Sequence, residues 1–168
     1  MSEPIVNKVA ESALVTIDLE TFLPKEQPVV FDLKDYLFMG LILKEKDFRE
    51  ALRTTDWEVY KDKTVLVICS ADAIVPVWAY MLIASYLKTQ TQHVFMETAE
   101  QWKQKMLLQT ISNINATDYS GKRIVVKGCG EQPIPPEAYL EITKKLQPVA
   151  KSIMYGEPCS TVPIYKQK

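Results

Sequence analysis

The sequence predicts a single domain of the α/β class, built on a mainly parallel sheet with helices on both faces. Short β-branched runs alternate with longer helical segments along the chain, which is the order that parallel sheets require. Residues 64–69 form an unbroken apolar run, which is typical of a strand covered on both faces. At 168 residues, 47% hydrophobic and 24% charged, the chain has the size and composition of one globular domain.

The elements follow in order after residues 1–28, which we interpret as a peripheral N-terminal segment. The predicted strands are residues 29–33, 64–69, 93–97, 123–127 and 152–155, with an extended tail at 162–165. The predicted helices are residues 45–53, 76–87, 98–113 and 136–146. Thr98 and Gln101 have capping-box spacing, Pro76 is tolerated in a first turn, and Pro148 ends the last helix. We detect no internal sequence repeat.

Charge and hydropathy exclude several classes of function. The net charge is −1 and the basic residues are dispersed, so we expect no nucleic-acid partner. The most apolar segment, residues 73–87, is shorter than the roughly 20 residues of a membrane helix, so we expect no membrane partner. The N-terminus lacks the pattern of a signal peptide, which favours a cytoplasmic location.

Three cysteines are the candidate functional residues. Cys69, Cys129 and Cys159 each follow a predicted strand at its carboxyl end, the edge where parallel sheets bind ligands. Glycines flank Cys129 on both sides, which leaves the backbone open to an ion or a substrate. Buried structural cysteines are the alternative interpretation, because cysteine is among the most often buried residues.

A thiolate site would favour a soft metal, either zinc or an iron–sulfur cluster. Zinc takes four ligands, so a fourth ligand would come from Asp72, Glu131, Glu157 or water. No Cys-X-X-Cys pair is present, so spacing alone does not identify the metal.

Two other functions remain open, and the sequence does not decide whether the protein is an enzyme. One is a non-enzymatic interaction domain in which the apolar helix around Trp78 mediates homo-oligomerisation. The other is a metal-free thiol enzyme with a low-pKa cysteine near a helix N-terminus. A cysteine–histidine dyad is disfavoured, because His93, the only histidine, begins a strand and so lies at the opposite sheet edge.

Six blocks of the sequence carry a family resemblance. They are residues 29–35, 41–48, 69–73, 76–81, 127–130 and 156–163, the last containing Gly156-Glu157-Pro158-Cys159. The chain resembles, over nearly its whole length, the uncharacterised Bacteroidetes family known as domain of unknown function 2480. The resemblance implies no established activity. Its association with iron–sulfur assembly genes would favour cluster or sulfur handling, with iron–sulfur assembly proteins as partners.

Overall fold

The structure, a computed structural model, describes residues 14–128, 130–157 and 159–168. Its strands are β1 Leu14–Asp18, β2 Val29–Asp32, β3 Val65–Ile68, β4 Val94–Phe95, β5 Arg123–Lys127, β6 Ser152–Glu157 and β7 Ser160–Lys166. Its helices are α1 Glu45–Thr54, α2 Val77–Leu87, α3 Ala99–Ser112 and α4 Pro136–Leu146. The α/β class is confirmed.

The strands form two sheets. One has the order β1-β5-β6-β7 and the other the order β2-β3-β4. All neighbours pair in parallel except β6 and β7, which form an antiparallel hairpin. The predicted mainly parallel pairing is therefore confirmed, and the extended tail is the hairpin strand β7.

The chain divides into two compact units, one interrupted by the other. The split unit comprises residues 1–24 and 104–168, and the inserted unit comprises residues 25–103. Helix α3 begins within the range of the inserted unit and ends within that of the split unit.

The two units have the same topology. Each runs strand, 3-10 turn, helix, 3-10 turn, strand, helix, strand, and each places its three parallel strands in sequential order. In the inserted unit Leu66 pairs with Phe95, and in the split unit Val125 pairs with Met154. Val125 lies 59 residues after Leu66, and Met154 lies 59 residues after Phe95. The same offset therefore relates the second strand of one unit to the second strand of the other, and the third strand to the third.

The repeat extends to individual hydrogen bonds. The Asp62 amide donates to the Gln90 carbonyl at 3.1 Å, and 59 positions later the Gly121 amide donates to the Val149 carbonyl at 2.9 Å. Asp62 and Gly121 both have positive φ, at 55° and 68°. The first strands obey an offset of 14, since Asp18 and Asp32 each cap the 3-10 turn that follows them.

This duplication is structural, and the sequence analysis, which detected no internal sequence repeat, did not predict it. The clearest shared stretches are Pro76-Val77-Trp78-Ala79-Tyr80 and Pro135-Pro136-Glu137-Ala138-Tyr139. Most other matching positions keep only their apolar or turn-forming character, which a search for sequence identity does not detect. The insertion after residue 24 also separates the first strand of the split unit from the rest of its repeat.

Each unit has its own hydrophobic core on one face of its sheet. In the split unit Ile124 and Val126 pack with residues of α3 and α4, including Ile142. In the inserted unit Val65 and Val67 pack with residues of α1 and α2. We predicted helices on both faces of the sheet. Within each unit, the helices that pack in the core lie on one face of that unit's sheet. Leu66 and Val125 point to the opposite face by strand alternation and are also fully buried.

Part of the predicted peripheral segment belongs to the fold. Strand β1 pairs with β5 along its whole length, and Leu19 just after it is fully buried. Polar Thr16 and Asp18 interrupt the apolar run of β1, which concealed it as a strand. Residues 1–13 lie outside the described part of the chain. Within the described residues, no helix combines the length and apolarity needed to cross a membrane.

Candidate functional site

The cysteines follow strands of two different sheets. Cys69 comes directly after β3 in the inserted unit, and Cys159 lies between β6 and β7 in the split unit. Cys129 lies outside the described residues, although its sequence position is two residues beyond β5. The strands that precede Cys129 and Cys159 in the sequence, β5 and β6, are adjacent and parallel, whereas β3, which precedes Cys69, belongs to the other sheet.

Cys69 is half-buried at the carboxyl edge of the inserted unit. Its Sγ lies 3.5 Å from the Ala71 carbonyl oxygen, to which the thiol donates. Tyr80 of α2 is its neighbour: burial first, and then the Cys69 thiol, raises the pKa of Tyr80 above its usual value. Asp72, a predicted fourth ligand, is exposed in the loop that follows.

The position equivalent to Cys69 in the split unit is Gly128. There the side chain of Tyr139 occupies the volume that a side chain at residue 128 would need. Tyr139 is equivalent to Tyr80, and a Cβ atom added at Gly128 would overlap its hydroxyl oxygen. The ring of Tyr139 meets Tyr155 of β6 edge-on, with centroids 5.6 Å apart. The two units therefore differ at their carboxyl edges. Cys69 lies beside Tyr80 in the inserted unit, and Gly128 lies beside Tyr139 in the split unit.

An ion-paired cluster joins three strands at the carboxyl edge of the split unit. Lys127, the last residue of β5, places its Nζ 3.7 Å from Asp18 Oδ2 and 3.5 Å from Glu157 Oε1. Asp18 ends β1 and Glu157 ends β6. Lys127 thus connects the ends of the strands that precede Cys129 and Cys159.

A further carboxylate reaches the loop after β5. Glu20 Oε1 accepts a hydrogen bond from the Gln132 amide at 3.1 Å, and a Cβ at Gly130 would overlap the Glu20 carboxylate. Among the described residues, the contacts at this edge involve three carboxylates, those of Asp18, Glu20 and Glu157, and one ammonium, that of Lys127. Such a surplus of carboxylates favours cations over anions.

The carboxyl edge of the inserted unit is held by Asp32. Its carboxylate accepts from the Ser70 amide at 3.0 Å, the Ser70 hydroxyl at 2.6 Å and the Lys34 amide at 3.0 Å. Desolvation acts to raise the pKa of Asp32, but these hydrogen bonds and the Lys34 charge outweigh it, so the pKa is lowered. Asp32 joins the ends of β2 and β3.

Among the described residues, no group of three or more histidine, cysteine, aspartate or glutamate side chains has the geometry of a metal site. Of the other predicted fourth ligands, Glu131 and Glu157 are exposed in the split unit. His93 is exposed and directly precedes β4, whereas Cys69 and Cys159 follow strands.

Sequence reasoning did not identify Asp18, Asp32 or Lys127 as site residues. A detectable signal was the recurrence of Asp-Leu at the end of a strand, at Asp18-Leu19 and Asp32-Leu33. In both places the aspartate caps a 3-10 turn and the leucine is fully buried.

The family model described as protein of unknown function (DUF2480) matches residues 3–167, nearly the whole chain. The chain belongs to this family. No curated protein and no solved structure matches it. The resemblance inferred from the six sequence blocks is confirmed, and family membership itself assigns no activity.

Proposed function

We propose that the protein holds a soft metal, as zinc or an iron–sulfur cluster, through Cys129 and Cys159 at the carboxyl edge of the split unit. The observation that supports it is the contact of Lys127 with Glu157 at 3.5 Å. Each cysteine lies two residues beyond one of these partners in the sequence. Because two residues of chain span at most about 7 Å, this contact supports a site shared by both cysteines.

The charge at this edge supports a cation. Asp18, Glu20 and Glu157 leave an excess of negative charge around Lys127, which attracts a metal ion and disfavours an anionic substrate. Glu131 and Glu157 supply oxygen ligands to complete a coordination shell begun by two thiolates. Iron–sulfur assembly proteins are the partners we propose if the bound metal is iron.

The decisive experiment is elemental analysis, with an absorbance spectrum, of the full chain purified without oxygen and without a metal-binding tag. We expect zinc or iron in stoichiometric amounts, lost in Cys129→Ser and in Cys159→Ser. Cys69→Ser is the matched control and should keep the metal, because the proposed site contains only Cys129 and Cys159. Wild-type protein that is metal-free and retains no zinc on titration would overturn the proposal.

The metal-free thiol enzyme is a second candidate, favoured by the Lys127 ammonium, since a nearby cation stabilises a thiolate. The substitution Lys127→Gln separates the two. A metal site should gain affinity several-fold, because a competing cation is removed. A reactive thiol should instead lose reactivity, measured as slower alkylation by iodoacetamide at neutral pH.

A further inference from the structure

The inserted unit exposes a group of large apolar side chains, which we call the apolar surface. Its members come from the loop before α1 and from the start of α2: Phe38, Met39, Leu41, Ile42, Ile74, Val77 and Met81. A parallel bridge between Ile42 and Ile74 joins the loop to the segment that leads into α2. Val77 and Met81 are one helical turn apart and share a face.

The loop that carries four of the seven members of this surface is a hydrogen-bonded tight turn. The Phe38 amide donates to the Ile42 carbonyl at 2.7 Å, and the Leu41 amide donates to the Phe38 carbonyl at 3.1 Å. Met39 and Gly40 at its tip both have positive φ, at 51° and 70°. The left-handed backbone region is less costly for asparagine or glycine than for methionine. The side chain of Met39 is nevertheless 78% exposed. An apolar side chain is thus kept in solvent at a cost in stability.

The size of the apolar surface exceeds what a monomer normally leaves in water. Its members range from 44% exposed for Phe38 to 89% for Ile74. With roughly 170–240 Å² for a fully exposed residue of this size, the total is about 900 Å², against about 300–600 Å² for the largest patch on a typical monomer. A standard protein interface buries about 800 Å² on each partner.

The split unit provides an internal comparison, because α4 is the repeat equivalent of α2. The positions of Trp78 and Leu82 are taken in α4 by Glu137 and Glu141, 59 residues later. Glu141 forms an ion pair with Lys144 at 2.7 Å, as expected of a solvated helix face. The positions of Val77 and Met81, by contrast, are taken in α4 by Pro136 and Leu140, so the two helices differ at Trp78 and Leu82 but both are apolar at the positions that belong to the apolar surface.

Charges of both signs border the apolar surface. Lys44 places its Nζ 3.2 Å from the centre of the Phe38 ring, and Arg49 lies over Trp78 at 5.9 Å. Asp72, exposed, precedes Ile74 by two residues, and Glu45 pairs with Arg49 at 2.9 Å. In a two-fold contact the same patch meets itself, and a margin of mixed sign can pair across it.

We propose that two copies of the chain associate through the apolar surface in a two-fold symmetric dimer. The area matches one side of a standard interface, and the mixed margin suits a second copy better than a strongly acidic or basic partner. The dimer proposal rests on residues of the inserted unit alone and does not depend on the proposed metal site.

The test is analytical ultracentrifugation of the full chain over a concentration series, with a reductant present because Cys159 is exposed. Wild-type protein should sediment at twice the chain mass of 19.2 kDa. Ile74→Glu and Met81→Glu should each raise the dimer dissociation constant at least about 30-fold, because each places a charge in a buried contact. Both side chains are exposed, so circular dichroism should show an unchanged fold.

Leu140→Glu is the matched control. Leu140 is the repeat equivalent of Met81 on α4 and is 56% exposed, so its substitution places the same charge on the same helix position of the other unit. It should leave the dimer intact. Monomeric wild-type protein at every concentration, or a dimer that survives the double substitution of Ile74 and Met81, would overturn the proposal, as would equal dissociation by Leu140→Glu.

Discussion

The close approach of Tyr139 to Gly128 makes the difference between the two carboxyl edges measurable. Gly128→Ala introduces a Cβ that overlaps the Tyr139 hydroxyl and comes within 3.0 Å of Ile134 Cγ1. Overpacking of this kind costs about 1–3 kcal/mol. The hydroxyl oxygen is the atom of Tyr139 nearest to the added Cβ, and the ring carbon Cζ is farther away, at 3.2 Å. We therefore expect the oxygen to account for most of the loss in stability.

A double-mutant cycle measures that share. Gly128→Ala should lower the free energy of unfolding by about 1–3 kcal/mol in the wild type and by roughly half as much or less in the Tyr139→Phe background. Urea unfolding followed by circular dichroism gives the free energies, and each kcal/mol should also shift Tm by about 2–4 °C for a chain of this length.

The control is Cys69→Ala, which places the same residue at the equivalent position of the inserted unit. A side chain already fits beside Tyr80 there, so we expect a loss below about 1 kcal/mol. If Gly128→Ala costs as much with phenylalanine at 139 as with tyrosine, the hydroxyl does not exclude the side chain. Our account of the two edges would then be wrong.

Two further predictions concern the repeat and its aspartates. Asp32→Asn should cost about 1–3 kcal/mol, because the carboxylate accepts three hydrogen bonds from Ser70 and Lys34. The folded-state pKa of Asp32 is depressed, so its contribution is complete above the ordinary value of 3.8 and is lost as the pH falls through the lower folded value. Urea titrations should therefore show a smaller difference in the free energy of unfolding between wild type and Asp32→Asn at pH 3 than at pH 7. An equal difference at both pH values would contradict the assignment. At the equivalent positive-φ positions, Gly121→Ala should destabilise by about 1 kcal/mol and Asp62→Gly should be neutral or stabilising, and thermal melts showing the reverse order would argue against the equivalence.

Much of the local structure could be predicted because it depends on short-range chemistry. Helix α4 has its predicted bounds, since Pro136 suits a first turn and Pro148 stops continuation. Thr98 and Gln101 form the predicted capping box, with reciprocal bonds of 2.9 and 3.2 Å. Strand β1 was missed, because its polar residues resemble a loop and its pairing partner β5 lies more than a hundred residues away.

The candidate site was less predictable than the elements that carry it. The strands that precede Cys69 and Cys159 were predicted to within two residues at their ends, but their assignment to different sheets depends on which strands pair. Lys127 and Asp18 are ordinary charged residues in the sequence, and only the register of β1 on β5 places them together. The apolar residues of α2 were recognised, whereas their continuity with residues 38–42 was not.

The sequence by itself determined the α/β class, the helices and the central strands, because propensity, capping and apolar periodicity act over a few residues. Membership in the family was inferred from the resemblance of the six sequence blocks. The tertiary structure alone decided that the strands form two sheets, that the two units repeat one topology, and which charges meet at each edge. Those features depend on pairing between distant segments. Long-range pairing follows from the packing of whole faces rather than from any local pattern, and so residues 59 positions apart in sequence became equivalent only once the two units were folded.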